Sequence, residues 1–386
     1  MESSASSRVF AVQPKLLRVV TAGDAFDLAP YTLLHAGPPL RDPTAPPPVL
    51  MSSAVMTCLH EGWASDASAA EAMVHSGRVR LVPAQPFACV TPLAHVISVR
   101  TPLFEVGDAT GPSVRTPVST VGGPDTRMGH RDPALLARLA DRDHRIAPAW
   151  QRALSAHGPL PLLPIAALGL AQGDDLHSRT FAANGAFVSW LRGCGTEAGI
   201  VAAIESMPLF FLTPWMAACA LMLRAAEGSD EPTLLTRAGG NGERFGIALA
   251  GSPSDWVCVD ATPPLGPQPP GTVGLPVCGA IGDSAVIDIF GCGGQALASA
   301  EEPLQHFSGY LPADHSVVVD KLLGPRHPQL LRPVLMDARR VVDAQCSPCI
   351  TLAKIAEDGV GGFVGRGLYR PPLDLFDRAL RGAPTR

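Results

Sequence analysis

The stretch that most constrains this chain is MPLFFLTPWMAACALMLRAA, residues 207–226, which is apolar on every face of any helix it could form. A helix of that kind either lies inside a large core or crosses a membrane. Two prolines interrupt the stretch, and about 20 residues is barely enough to span a bilayer. We therefore predict a buried helix that follows Pro214, with no membrane span.

A helix buried on all sides needs a large interior, and the composition provides one. Apolar residues make up 46% of the chain and charged residues only 17%, below the roughly 25% that is usual in soluble proteins. The low fraction of charged residues would also fit a surface that partner subunits partly cover. The net charge of −5 and the absence of a Lys/Arg cluster argue against nucleic-acid binding.

The cysteines and the first residues bear on the compartment. Nine cysteines, an odd number, are scattered through apolar contexts, which is typical of a reducing cytosol rather than a disulfide scaffold. The opening MESSASSRVFAVQPKLL lacks the apolar region of a secretory signal. We expect a cytoplasmic protein.

Changes in pattern along the chain predict an α+β fold, in which a central helical subdomain separates two mixed α/β parts. The segment 107–130 is rich in Gly, Pro and Thr, and helical spacing begins at Asp132. A length of 386 residues is enough for two or three domains. We predict an N-terminal α/β domain over 1–129, a helical subdomain over 130–228 and a C-terminal α/β domain over 229–386.

The most concentrated polar cluster is QGDDLHSRT, residues 172–180, which lies among apolar runs. If the stretch is helical, Asp174 and His177 are three residues apart and share a face. Asp174 would then orient His177, and Arg179 would offer a planar fork to an anionic oxygen. We predict these three as the catalytic residues. The alternative is a helix surface that carries an internal ion pair.

Four further polar residues are candidates for substrate binding. They are His35, which ends the predicted strand of YTLLHAGPPL; His60 of CLHEGWA; and Arg237 and Asn241 of TRAGGNGERFGI. The zincin motif is excluded at His60 because Ala64 stands where its second histidine would be. The alternatives are a turn-capping histidine at His35, a buried His–Glu contact at His60, and an ordinary hairpin loop for the last two.

Two glycine clusters complete the candidate site. A Gly-rich turn at the start of a helix can present backbone N–H groups to an anion, although it can equally be a flexible turn. The predicted contributors are Asp283, Ser284, Gly293 and Gly294 of IGDSAVIDIFGCGGQALASA, together with Lys354, Gly361 and Gly362.

The lone C-x-x-C at 346–349 lacks neighbouring ligands that would complete a zinc site. We predict neither a metal nor a cofactor, and take an anionic small molecule as the ligand.

These stretches, in this order, resemble the AllG/YlbE-like family, whose characterised role is as a subunit of oxamate carbamoyltransferase. The matching pieces cover most of residues 31–370 and are LLHAGPP, AVMTCLHEGWA, GDDLHSR, FFLTPWMAACALMLRAA, RAGGNGERFGI, IGDSAVIDIFGCGGQALASA and DARRVVDAQCSPCITLAKIAEDGVGGFVGRGL. Where the family tends to be His-rich, this chain has LVPAQPFACVTPLAHVISV, with His95 as its histidine.

The resemblance implies an α+β fold with a helical insert, and transfer of a carbamoyl group between carbamoyl phosphate and an amide or amine nitrogen. It also implies an assembly with other subunits, one similar to succinyl-CoA synthetase, in a homo- or hetero-oligomer. In such a site Arg179 would clamp phosphate or carboxylate, His177 would act as base or oxyanion donor, and Arg237 and Asn241 would hold the second substrate. Two alternatives remain: an acyl-phosphate or acyl-CoA ligase subunit, and a non-catalytic assembly subunit.

Overall fold

The computed structural model describes residues 4–108, 111–123 and 125–382. The α-helices are α1 Ala5–Ala11, α2 Ala22–Ala25, α3 Pro48–Glu61, α4 Ala67–His75, α5 Ala134–Asp141, α6 Ala147–His157, α7 Leu163–Ala171, α8 Phe181–Gly193, α9 Ala198–Glu205, α10 Leu212–Arg224, α11 Ala285–Phe290, α12 Glu301–Phe307, α13 His315–Val318, α14 Ala338–Asp343 and α15 Leu373–Gly382. The strands are β1 Lys15–Thr21, β2 Thr32–His35, β3 Arg80–Pro83, β4 Pro102–Gly107, β5 Ser113–Pro117, β6 Leu160–Pro161, β7 Leu235–Asn241, β8 Arg244–Leu249, β9 Ser252–Asp260, β10 Ile281–Gly282, β11 Arg326–His327, β12 Arg332–Pro333, β13 Ile350–Ile355 and β14 Phe363–Tyr369.

The strands form two four-stranded antiparallel sheets and three two-stranded pairs. The first sheet has the order β5-β4-β1-β6 and the second the order β10-β7-β8-β9. β2 and β3 pair in parallel, whereas β11–β12 and β13–β14 are antiparallel. Small sheets interleaved with many helices confirm the predicted α+β class.

The apolar stretch at 207–226 forms the buried helix that the sequence predicts. α10 begins at Leu212, two residues before Pro214 and not after it. The helix tolerates Pro214 because a proline in the first turn removes no intrahelical hydrogen bond. Twelve of its thirteen residues are buried, from Leu212 to Leu223. It packs against β4 and β5 of the first sheet, β7 of the second, and α11. Among the described helices, none is long and apolar enough to cross a membrane.

One apolar core runs through all three predicted segments. It includes Leu16 from the first, Trp150 and Trp215 from the helical segment, and Phe290 from the last. Trp150 stacks on Phe187 with ring centroids 4.3 Å apart. Burying a large side chain of this kind stabilises a fold by about 1.5–3 kcal/mol. The boundaries at 129 and 228 stay a prediction.

The polar stretch QGDDLHSRT is not helical, contrary to the prediction. It forms the loop between α7 and α8. Gly173 has a φ of +87° and Leu176 a φ of +65°, and neither left-handed conformation can continue a right-handed helix. The three-residue spacing of Asp174 and His177 therefore does not place them on one helix face.

The GCGG sequence also differs from the expectation that it opens an α-helix. α11 precedes it and ends at Phe290, and the glycines lead into a single 3₁₀ turn, Gly293–Gln295. Gly293 has a φ of +56°, a left-handed conformation that glycine adopts without strain. The turn brings the chain back against α11 and the start of β13.

Candidate active site

A buried histidine–carboxylate pair lies at the centre of the candidate site. His177 Nδ1 is 2.6 Å from Asp288 Oδ2, and the two side chains come from the α7–α8 loop and from α11. Asp288 is fully buried and His177 is 5% exposed. Because an ionised carboxylate only accepts hydrogen bonds, Nδ1 carries the proton. Nε2 is then the ring nitrogen that can accept a proton from a ligand.

The other carboxylate oxygen of Asp288 is fixed by the backbone around it. Asp288 Oδ1 accepts hydrogen bonds from Gly294 N at 2.8 Å, from Thr351 N at 3.0 Å and from Thr351 Oγ1 at 3.1 Å. A carboxylate that receives several N–H and O–H bonds is held in one orientation. Asp288 can therefore hold the imidazole ring of His177 in a single tautomer and position.

Asp175 shapes the loop that carries His177. Its Oδ1 accepts from His177 N at 3.0 Å and Arg179 N at 2.8 Å, and its Oδ2 accepts from Ser178 Oγ at 2.6 Å. The Asp175 carbonyl accepts from Gly293 N at 2.7 Å. Complete burial raises the pKa of Asp175, an effect that these donated bonds oppose. The loop is thus tied both to itself and to the glycine turn beside Asp288.

A cavity, which we call the dyad cavity, opens in front of His177. Its walls are mostly apolar, with hydroxyl groups from three side chains and two arginines among its lining residues. The lining residues are Pro92, Leu93, Arg127, Met128, His177, Ser178, Leu209, Leu212, Ser284, Thr351, Leu352, Ala353, Phe363 and Arg366. A concave apolar site with a few convergent polar groups is the usual form of a small-molecule pocket.

A second cavity, the glycine cavity, adjoins the first. The two share Arg127, Met128 and Phe363 as lining residues. The rest of its lining consists of Gly123, Asp125, His130, Met207, Gly361 and Gly362. Burial lowers the pKa of His130, so this ring is neutral near pH 7.

Comparison with known proteins identifies the family. The family model described as oxamate carbamoyltransferase subunit AllG matches residues 79–284, more than half of the chain. The chain belongs to the AllG family. It is 27% identical over 372 residues to the oxamate carbamoyltransferase subunit AllG of Escherichia coli K12, an alignment that covers 90% of this chain and 88% of that protein.

Two further similarities extend over nearly the whole chain. The uncharacterized protein YahG of Escherichia coli K12 is 28% identical over 375 residues, covering 91% of this chain and 78% of YahG. The crystal structure of a conserved protein of unknown function from Enterococcus faecalis V583 has the same fold, with a TM-score of 0.89 at 23% identity. That similarity covers 98% of this chain and 95% of the Enterococcus chain.

In this AllG-family chain, five of the predicted residues lie beside His177 or along the two cavities. Ser284 lines the dyad cavity beside it. Gly293 and Gly294 form the turn that holds Asp288 and the His177 loop. Gly361 and Gly362 line the glycine cavity.

Asp174 and Arg179 do not take the positions that the sequence predicts. Asp174 Oδ1 and Oδ2 accept from Phe181 N at 3.0 Å and Ala183 N at 2.9 Å, which caps the N-terminus of α8. Asp288, and not Asp174, orients His177. Arg179 stacks over the Phe181 ring and is 3.4 Å from Asp174, outside the residues that line the dyad cavity.

His35 and His60 have local partners away from both cavities. His35 is fully buried and its Nδ1 is 2.7 Å from the Ala36 carbonyl. His60 Nε2 is 2.7 Å from Asp143, which replaces the His–Glu contact that we considered. Glu61 instead pairs with Arg100 at 2.8 Å.

Four more predicted binding residues have structural partners, and none of them lines either cavity. Arg237 pairs with Glu227 at 3.4 Å, and Lys354 donates to the Gly266 carbonyl at 2.6 Å. Asn241 closes the β7–β8 turn: it donates to the Pro38 carbonyl at 2.9 Å and accepts from Arg244 N at 2.8 Å. Asp283 connects three chain segments by accepting from Gly37 N, Gln85 Nε2 and Thr91 N. Burial raises the pKa of Asp283 to about 7 and lowers that of Lys354.

Four site residues were missed: Arg127, Asp288, Thr351 and Arg366. Asp288 gave the clearest signal, because it is a carboxylate within the apolar run AVIDIF and such a group needs buried partners. Arg127 and Thr351 stand in stretches without a distinctive pattern. Arg366 lies in the second glycine cluster, where it flanks the residues that we selected.

The C-x-x-C pair contributes a contact with one histidine. Cys349 Sγ is 3.7 Å from His315 Nδ1, and burial raises the pKa of Cys349 to about 12. Across the described residues, no group of three or more His, Cys, Asp or Glu side chains is arranged to hold a metal ion.

The burial of His35 predicts an acid-sensitive contribution to stability. Burial lowers the pKa of His35 to about 4, although the bond to Ala36 opposes this shift. The unfolded pKa is about 6.5. A lowered folded pKa contributes stability above the unfolded pKa, and this contribution is lost as the pH falls from about 6.5 to 4.

We therefore expect the stability difference between wild type and His35→Asn to shrink as the pH falls through that range, by about 1.4 kcal/mol per pKa unit. Asparagine can still donate to the Ala36 carbonyl, and the other histidines contribute equally to both proteins. Urea unfolding at several pH values measures the difference. A difference that does not vary with pH would contradict the prediction.

Proposed function

We propose that this chain is a carbamoyltransferase subunit in which His177 acts as the general base. The observation that carries the proposal is the Asp288–His177 pair beside the dyad cavity. Membership of the AllG family, in which the Escherichia coli relative is named an oxamate carbamoyltransferase subunit, supports the reaction class. The substrates are carbamoyl phosphate and a small amide or amine, with oxamate the first acceptor to test.

In the reaction that we propose, the acceptor nitrogen attacks the carbamoyl carbon. A C–N bond forms, the bond from that carbon to the phosphate oxygen breaks, and inorganic phosphate leaves with the electron pair. The proton lost by the nitrogen moves to His177 Nε2, and the Asp288 carboxylate stabilises the resulting imidazolium. In the reverse direction the same imidazolium returns the proton to the leaving nitrogen.

The surrounding side chains would assist by position and charge. Ser284 brings a hydroxyl group to the wall of the cavity, where it would donate to the carbonyl oxygen as negative charge develops on it. Such donors are more effective in a water-excluded site than in water. The hydroxyl protons of Ser178 and Thr351 are already donated to Asp175 and Asp288. Arg366 adds positive charge at the wall, although Glu302 partly neutralises it through a two-bond pair.

We propose further that the chain works in the cytoplasm within a larger assembly. The relative's name describes a subunit, and a partner similar to succinyl-CoA synthetase is the one that the family resemblance implies. All nine cysteines are unpaired as thiols, which suits a reducing compartment.

The test uses the tagged chain, purified with any subunits that accompany it. Carbamoyl phosphate and oxamate are supplied, and phosphate release and the carbamoylated product are followed together. We expect phosphate release that depends on the acceptor and matches the product in amount. Product formation that requires CoA or ATP would favour a ligase subunit. An active complex whose rate does not change when His177 is replaced would identify this chain as an assembly subunit.

A further inference from the structure

Arg127 is a buried cation at the wall between the two cavities. It lines both the dyad cavity and the glycine cavity, and it is only 4% exposed. Its Nε is buried and has no hydrogen-bond partner in the structure. An arginine carries its charge at any physiological pH, so its donors need an acceptor when water is excluded.

Other buried arginines show what is usual in this fold. Arg142 is 2.7 Å from Asp143, and Arg237 is 3.4 Å from Glu227. Arg127 forms no such ion pair with any of the described residues. A buried charge without a partner is strongly unfavourable, and here it faces the space where a ligand would bind.

Asp125 forms no side-chain ion pair with Arg127. Burial raises the pKa of Asp125, but its contact with His95, followed by the charges of Arg127 and Arg142, lowers that pKa more strongly. The oxygens of Asp125 are bonded to other groups. Oδ1 accepts from Thr126 Oγ1 at 2.9 Å and lies 3.4 Å from His95, while Oδ2 accepts from Thr120 N at 3.2 Å. The only bond from Arg127 to it is a long one, 3.4 Å, from the backbone N–H.

We infer that the Arg127 guanidinium is an oxyanion-binding position that joins the two cavities into one substrate site. It would hold the phosphate or carboxylate group of a small substrate whose carbonyl carbon lies beside His177. The glycine cavity supplies a second polar group, since the Nδ1 of His130 is also buried without a partner. This inference rests on the proposed function for the identity of the reacting carbonyl, but anion binding by itself does not.

Anion binding can be measured without turnover. Isothermal titration of the 386-residue chain with inorganic phosphate, and separately with acetate, is expected to detect binding of at least one of them. Arg127→Gln should weaken that binding by about tenfold or more, as expected for a lost charge-assisted pair. Arg127→Lys keeps the charge but loses the planar fork, so its anion affinity should lie between those of wild type and Arg127→Gln.

Binding of phosphate alone would assign the position to the phosphoryl group, and binding of acetate alone would assign it to a carboxylate. The unliganded Arg127→Gln protein should be at least as thermally stable as wild type, because it no longer buries an unpaired charge. Arg192→Gln, which removes a surface arginine paired with Glu205, should bind the anions as wild type does.

Wild type that binds neither anion, or Arg127→Gln that binds them with unchanged affinity, would overturn the inference. These results are separate from the proposed function, whose failure would instead appear as turnover that does not depend on His177. If circular dichroism shows that Arg127→Gln does not fold, the anion affinity of Arg127→Lys is the test, and an affinity equal to that of wild type would overturn the inference.

Discussion

Replacement of His177 by asparagine is expected to lower carbamoyl-transfer turnover by about 10²- to 10⁴-fold, which is the usual contribution of a positioned general base. The asparagine amide can occupy the place of Nδ1 and donate to Asp288 Oδ2. The buried carboxylate therefore keeps a partner, while the proton acceptor at Nε2 is lost. The loss should appear mainly in kcat, with stability changed little.

Three matched variants separate this role from a structural one. Asp288→Asn should also lower kcat, because an amide can turn its NH₂ group toward the ring and favour the wrong tautomer. His75→Asn, at an exposed histidine bonded to the Thr44 carbonyl, should leave kcat unchanged. Asp174→Asn should change kcat little, because Asp174 caps α8.

Steady-state kinetics with carbamoyl phosphate and oxamate, together with thermal denaturation of each protein, make the comparison. A folded His177→Asn complex with wild-type kcat would exclude His177 as the base. A kcat loss in Asp174→Asn equal to that in Asp288→Asn would mean that both carboxylates act on the reaction.

The sequence predicted His177 but not its partner, and the reason is geometric. The polar cluster itself was visible, since four ionisable groups among apolar runs require buried partners or a site. The pairing with Asp174 assumed helical spacing. That assumption failed because Leu176, a residue type with no evident turn preference, adopts a positive φ. A non-glycine residue in this region is uncommon and gives no signal in composition.

Asp288 and Arg127 show which contacts local patterns cannot supply. Asp288 is 111 residues from His177 in sequence, and their contact depends on how α11 packs beside the α7–α8 loop. Arg127 lies in a short 3₁₀ turn, Thr126–Met128, which is too short for the hydrophobic periodicity of the sequence to predict. By contrast, α10 was predictable because its burial follows from its own residues, whatever surrounds it.

Gly294→Ala is expected to destabilise the fold by about 3 kcal/mol, at the upper end of the usual cost of overpacking. A Cβ at this position would lie far inside van der Waals contact with the Cys349 carbonyl oxygen and 3.1 Å from the Cys349 Cβ. These are mostly backbone atoms at the start of β13, so they cannot move aside as a flexible side chain would. The turn or the strand must shift instead.

The shift would also reach the reacting groups. Gly294 N donates to Asp288 Oδ1, and the N–H and hydroxyl of Thr351, two residues after Cys349, donate to the same oxygen. A displacement of about 1 Å in a positioning group can lower a rate by about 10²-fold. We therefore expect Gly294→Ala to lower kcat even under conditions where the protein is folded.

The control is Gly185→Ala on the exposed side of α8, where an added Cβ meets no atom within 4 Å. In a helix interior alanine is favoured over glycine by about 0.5–1 kcal/mol, so this variant should be slightly stabilised and fully active. Urea unfolding and steady-state kinetics on both variants test the pair. A Gly294→Ala protein as stable and active as Gly185→Ala would mean that neither the glycine turn nor the Asp288 bonds depend on the close approach to Cys349. In that case the positioning of His177 would have to come from the Asp175 side of the loop alone.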